Sequence, residues 1–158
     1  MVGWDDYFMN LVYLLAMRSK DASTRYGAVI VNNNNRIIST GYNGFAQGIN
    51  DNVPERQERP EKYFWFIHAE LNAIINAKTD TEGFKMYVNG MPCTGCANAI
   101  INAGLKKVII DSVWDKPTDK WDAEFERVHQ LFFEAKIEII YWKGELINLY
   151  RFKRGEKF

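Results

Sequence analysis

The sequence predicts an α/β fold of three layers, α/β/α, in which a mixed sheet of about five strands lies between helices. Three observations carry this. Two strand-like stretches, Gly27–Val31 and residues 36–40, flank the run Asn32-Asn33-Asn34-Asn35. Asparagine tolerates the left-handed turn conformation, so an antiparallel hairpin is expected there. Further on, strand-like and helical patterns alternate: Lys85–Val88, residues 92–103, Lys107–Asp111, residues 121–135 and residues 137–142. A hairpin followed by βα units gives a sheet of mixed direction with helices on both faces.

Each element has its own signal. Residues 4–18 carry Trp4, Phe8, Leu11, Val12, Leu15 and Ala16 at helical spacing, one stripe to bury. Residues 43–62 are the least regular part, with Gly44, Gly48, Pro54 and Pro60 among charges. They read as a long loop, and loops of that length in compact domains tend to be functional. A helix over residues 68–78 follows. Pro92 fits the first turn of the next helix, which runs to Ala103 and stops at Gly104. Lys107–Asp111 has the composition of a buried strand. Residues 121–135 form an amphipathic helix, and 137–142 the last clear strand. Residues 145–150 are available for one more short element.

A chain of 158 residues suits a single domain, residues 1–158, with a core that needs no disulfides. Lys plus Arg equals Asp plus Glu at 20 each. Zero net charge speaks against a protein that coats nucleic acid, so no nucleic-acid partner is expected. A small anionic substrate remains open, since one or two local cations suffice for a phosphate. No apolar run approaches the roughly 20 residues of a membrane helix, so no membrane partner is expected. The opening Met1-Val2-Gly3-Trp4-Asp5-Asp6 lacks the basic and apolar regions of a secretory signal, and a cytoplasmic protein is expected. In a reducing compartment, two cysteines three apart are metal-binding or redox-active sooner than a structural disulfide.

The chemistry sits in two segments, His68-Ala69-Glu70 and Pro92-Cys93-Thr94-Gly95-Cys96, each at a predicted helix start. Zinc favours imidazole nitrogen and thiolate sulfur in a tetrahedron. Cys93 and Cys96 at a helix N-terminus can both face one ion, and the positive end of the helix favours their thiolate forms. With His68 they make three protein ligands, which leaves a fourth position open, the pattern of a catalytic site. Water there becomes acidic enough to supply hydroxide near neutral pH. Glu70, two residues from His68, is placed to take and deliver protons as the catalytic group. His-x-Glu followed by Pro-Cys-x-x-Cys is the signature of zinc nucleobase deaminases.

A Cys-x-x-Cys pair alone also fits a thiol redox pair or half of a structural zinc site. Redox chemistry does not call for His-x-Glu upstream, and a structural site needs a fourth ligand. The only other histidine, His129, lies in the middle of the amphipathic helix. Both motifs together favour the catalytic reading.

From about Asp5 to about Tyr141 the sequence resembles the deoxycytidylate (dCMP) deaminases of the cytidine deaminase superfamily. The resemblance rests on Ser19-Lys20-Asp21, Gly27-Ala28-Val29-Ile30-Val31, Gly41-Tyr42-Asn43-Gly44, His68-Ala69-Glu70-Leu71-Asn72-Ala73-Ile74 and Pro92-Cys93-Thr94-Gly95-Cys96-Ala97. It implies a cytidine-deaminase-like fold, one catalytic zinc per subunit, and hydrolysis of dCMP to dUMP and ammonia in support of thymidylate synthesis. It implies substrate contacts from Ala69 and from Asn43, which matches the family's sugar-holding asparagine. Lys20, Thr24 and Arg25, before the first strand, are candidates for the 5′-phosphate, because a guanidinium can bond a phosphate through two donors. The blander reading of Lys20 and Arg25 is that they are solvated surface cations. Trp114, just past a strand end, could meet the ligand or serve as a plain hydrophobic anchor.

In this family Gly41, Tyr42, Asn43 and Gly44 also belong to an effector site at a subunit interface. There dCTP activates and dTTP inhibits, with Mg²⁺ on the triphosphate, in a homohexamer. For Gly41 and Gly44 the plainer reading is a chain that turns sharply after a strand. Two departures stand out. Residues 45–67 hold no Cys or His for the second, structural zinc of some members. An aromatic and an Arg that some regulated members carry near Asn76 and Thr79 are missing, which bears on regulation and not on the chemistry. The alternatives are a deaminase of dCTP or of tRNA adenosine, a non-catalytic nucleotide-binding regulator, and a thiol oxidoreductase.

Overall fold

The structure, a computed structural model, describes residues 1–116 and 122–158. Strands β1 (Gly27–Val31) and β2 (Ile37–Tyr42) pair antiparallel, with a bulge between Ile30 and Val31. The asparagine run makes the turn: Asn35 takes φ 58°, and Asn32 Oδ1 accepts from the N–H groups of Asn34 and Arg36. After a two-residue pair, β3 (Gly44–Phe45) with β4 (Phe66–Ile67), come β5 (Lys85–Val88), β6 (Lys107–Asp111) and β7 (Glu138–Trp142). The main sheet has five strands in the order β2-β1-β5-β6-β7. β5 is antiparallel to β1, and β6 and β7 run parallel to β5. This is the mixed α/β sheet the sequence predicts.

Helices cover both faces because the strands are apolar on both. Helix α1 (Trp4–Ala16) packs Phe8, Met9, Val12 and Tyr13 against Val29, Val31, Tyr87 and Ile109. The alternate strand residues Ala28, Ile30, Met86, Val88, Val108 and Ile110 face the other way. They meet α3 (Ala69–Ala77), α4 (Thr94–Asn102) and α5 (Ala123–Glu134). The crossovers through α4 and α5 have one hand and so place both helices on one face. The stripe of α1 is rotated from expectation: Trp4 is 57% exposed, while Met9 and Tyr13 are buried.

Gly41 and Gly44 are not turn residues, since neither has a positive φ. Gly41 lies within β2, where a Cβ would collide with the Ala69 carbonyl oxygen and stand 2.5 Å from the Ala73 nitrogen. Its missing side chain lets α3 lie against the strand. Asn72 and Asn76 then donate to the β2 carbonyls of Tyr42 and Thr40.

Other details differ. Residues 43–62 contain β3 and a 3-10 turn, Pro54–Gln57, and the one-turn helix α2 (Lys62–Trp65) follows. Pro92 precedes the N-cap of α4 and is outside its first turn. The expected helix start at Trp121 lies outside the described residues; α5 begins after its N-cap Asp122. Residues 145–150 form no regular element. The last element is a hairpin, β8 (Phe152–Lys153) with β9 (Glu156–Lys157), turned by Arg154 and Gly155 at φ 54° and 80°. Among the described residues no helix is long and apolar enough to cross a membrane.

Candidate active site

His68 is the N-cap of α3 and Cys93 the N-cap of α4, so the two helix starts meet. The ring nitrogen His68 Nδ1 stands 3.4 Å from Cys93 Sγ and 3.5 Å from Cys96 Sγ. All three ligand atoms lie within 4.8 Å of one another. Tetrahedral zinc, with bonds of about 2.3 Å to sulfur and about 2.0–2.1 Å to nitrogen, requires S···N near ~3.6 Å. The residues therefore fit the ion.

Local bonds fix the Cys-bearing loop. Cys93 Sγ accepts from the Cys96 N–H at 3.5 Å, Asp115 accepts from the Met91 N–H at 2.9 Å, and Glu124 accepts from both the N–H and the hydroxyl of Thr94. The three ligand groups share protons unequally. The hydrogen bond from Cys96, followed by that of the His68 ring, pulls Cys93 down to about 4. Cys96, donating to Cys93, is pushed far up. The bond to Cys93 raises His68 to about 9. Glu70, buried in the first turn of α3, has its carboxyl raised by that burial.

A cavity of about 210 Å³ opens over the cluster, with His68, Glu70, Cys93, Asn43, Tyr26 and Phe125 among its walls. Asn43 is buried and held at both ends. Its Nδ2 donates to Asp21 Oδ2 at 3.0 Å and to the Thr24 carbonyl at 2.9 Å, and its Oδ1 accepts from the Tyr26 N–H at 2.8 Å. Asp21 is the hub of this arrangement. Its Oδ1 also takes Lys62 Nζ at 2.6 Å and the N–H groups of Ser23 and Thr24. Sequence reasoning missed Asp21 and Lys62 as site residues; they stand 41 apart and share no motif.

The remaining predicted residues divide. Ala69, directly before Glu70, is fully buried against the core. Thr24 lines a second cavity that shares Tyr26 and His68 with the first. Lys20 and Arg25 are not among the described residues that line either cavity. Lys20 pairs with Asp51 at 2.6 Å, and Arg25 stacks over the Phe152 ring and lines a separate pocket with Tyr13 and Met17. Trp114 is fully buried, with its ring 5.2 Å from that of Tyr26. It is a core anchor beneath a cleft residue. Of Gly41, Tyr42, Asn43 and Gly44, only Tyr42 is exposed; Asn43 faces the cleft. His129 packs on Phe125 and is outside the metal cluster.

Known proteins of similar sequence and fold identify the family. The human deoxycytidylate deaminase is 44% identical over 131 residues, 79% of this chain and 72% of that protein. An uncharacterized deaminase from Aliivibrio fischeri is 36% identical over 145 residues, 92% of this chain and 97% of that one. A dCMP deaminase from cyanophage S-TIM5, solved with dCMP and dUMP, has the same fold at a TM-score of 0.66 and 20% identity, covering 87% of this chain and 96% of that one. Residues 2–112 match the cytidine and deoxycytidylate deaminase zinc-binding region. The chain thus belongs to the cytidine and deoxycytidylate deaminase family, and it is a hydrolytic enzyme of that kind.

Proposed function

We propose that the protein hydrolyses dCMP to dUMP and ammonia, yielding the precursor of thymidylate. The observation that carries this is the zinc-spaced triad His68, Cys93 and Cys96 with buried Glu70 in one cleft. The 44% identity to the human enzyme named for dCMP supports the choice of base and carrier.

Zinc, when bound by His68, Cys93 and Cys96, would supply Lewis acidity that makes a water molecule acidic near neutral pH. Glu70 moves the protons. Burial raises its proton affinity, which suits a carboxylate that must first accept and then give. It takes a proton from the attacking water and passes it to the ring nitrogen beside the reacting carbon. It then carries the second proton to the departing amino group, which leaves as ammonia. The base gains one oxygen and loses one nitrogen, and Glu70 ends as it began. Asn43 positions the sugar. Both its N–H donors are committed to Asp21 and Thr24, so its side chain can offer only the remaining acceptor site on Oδ1. That site suits a sugar hydroxyl.

Regulation belongs to the same proposal: dCTP activates and dTTP inhibits, each with Mg²⁺, in a homohexamer. Its support is the resemblance of Gly41–Tyr42–Asn43–Gly44 to the family's effector segment. Exposed Tyr42 is the side chain of that segment open to such a ligand. The test offers zinc-loaded protein dCMP, dCTP, deoxycytidine and a tRNA anticodon stem-loop and measures ammonia. The fastest release is expected from dCMP, and no release from dCMP overturns the proposal. Adding dCTP or dTTP to the same assay, with a mass measurement in solution, tests the regulatory part.

A further inference from the structure

We propose that the C-terminal β8–β9 hairpin holds the substrate's 5′-phosphate, with the Arg154 guanidinium as the principal contact and Arg59 facing it across a basic basin. This rests on the reading of the substrate as a nucleotide.

The argument begins with charge. Among the described residues, the catalytic cleft carries the acidic side chains Glu70, Asp115, Asp122 and Glu124 on its walls. A phosphate has no place there. Among the described residues, the adjoining cavity, of about 260 Å³, is lined by the cations Arg59, Lys62, Lys153 and Arg154 and by the carboxylate of Asp21. The two spaces share Tyr26 and His68, so a ligand with its base over Glu70 and its sugar at Asn43 extends into the basic one.

Within the basin the cations are not equivalent. Lys62 is buried on Asp21 at 2.6 Å. Lys153 donates to the Trp114 carbonyl at 2.7 Å and lies 3.6 Å from Asp115. Arg59 and Arg154 are the exposed pair, and both are guanidiniums, whose planar fork can bond two phosphate oxygens at once. Arg154 sits on a docked element. Its N–H donates to Thr24 Oγ1 at 3.1 Å, the Gly155 N–H donates to the Ser23 carbonyl at 2.7 Å, and the Arg25 N–H donates to the Phe152 carbonyl at 3.1 Å. The Arg151–Asp111 ion pair, at 2.6 Å, ties the residue just before the hairpin to the core. The hairpin thus lies against the segment whose Thr24 carbonyl accepts from Asn43, the residue proposed to meet the sugar. It also lies beyond residues 2–112, so this contact is separate from the family's zinc-binding region.

The test uses the full-length zinc enzyme with Arg154→Gln and Arg59→Gln. The readout is the ratio of kcat/KM for dCMP to that for deoxycytidine. Losing a charge-assisted bond to phosphate lowers that ratio by about 10- to 100-fold for Arg154→Gln. Arg59→Gln has a smaller effect in the same direction. Thermal melting accompanies each variant, and Arg154→Lys, which keeps charge without the fork, restores part of the ratio. Calorimetric binding of dUMP against deoxyuridine gives a readout independent of turnover. An unchanged ratio in a wild type that deaminates dCMP overturns the hairpin proposal alone. A wild type inert on dCMP overturns the function proposal; dUMP binding weakened by Arg154→Gln then still supports the hairpin contact, and dUMP binding indifferent to Arg154 overturns it.

Discussion

Replacing Lys62 with methionine removes one half of a buried ion pair and keeps most of the aliphatic length. The side chains of Lys62 and Asp21 are 9% and 4% exposed, with Nζ and Oδ1 2.6 Å apart. Removing one partner of such a pair typically costs about 3–5 kcal/mol, because the other charge is stranded. Here the stranded carboxylate keeps three donors, the N–H groups of Ser23 and Thr24 and the Asn43 amide, at 2.7, 3.1 and 3.0 Å. Those bonds hold the loss to the low end, about 3 kcal/mol. For a chain of this size that is a fall in Tm of about 6–12 °C. Urea unfolding followed by circular dichroism on the zinc-loaded protein measures it. In the double variant Asp21→Asn/Lys62→Met no charge is stranded, so most of the loss returns. A Lys62→Met loss under about 1 kcal/mol, or a double variant no more stable than the single one, would refute the reasoning.

Two further outcomes follow from the site. Glu70→Gln keeps the side chain's size but not its base, and kcat for dCMP should fall by about 10²- to 10⁴-fold while zinc content by metal analysis stays at one per chain. A variant retaining full turnover removes Glu70 from the proton path. Zinc binding should release about two protons at pH 7, since His68 (raised to about 9) and Cys96 (pushed up) hold theirs and Cys93 (near 4) does not. Binding therefore strengthens as pH rises. Calorimetry of the zinc-free protein in buffers of different ionisation enthalpy counts the protons, and a count of zero contradicts the assignment.

Periodic and motif-bearing features were legible in the sequence. Strands β1, β5 and β6 are buried on both faces and carry unbroken apolar runs, and the asparagine turn needs the left-handed residue that Asn35 provides. The zinc triad was legible because its residue types are rare here and its spacing is chemical. Contacts set by tertiary proximity alone were hidden. Lys20 and Arg25 stand near the cleft in sequence, but one reaches outward to Asp51 and the other stacks on Phe152. The basin's guanidiniums, Arg59 and Arg154, come from a loop and a terminal hairpin that no periodicity links. The β3–β4 pair has two residues in each strand, too few to show an alternation.

The formal neutrality of the chain conceals a strong internal separation of charge. Twenty positive and twenty negative side chains cancel in sum, yet acidic groups gather around the catalytic cleft and basic ones around the neighbouring basin. Such an arrangement acts on a ligand before contact. The basin attracts an anionic group while the cleft repels it, so a molecule with a neutral ring at one end and an anion at the other experiences a torque as well as a pull. It arrives already turned, ring toward the cleft. At physiological ionic strength this field reaches only about 8 Å, so the alignment happens in the last steps of the encounter.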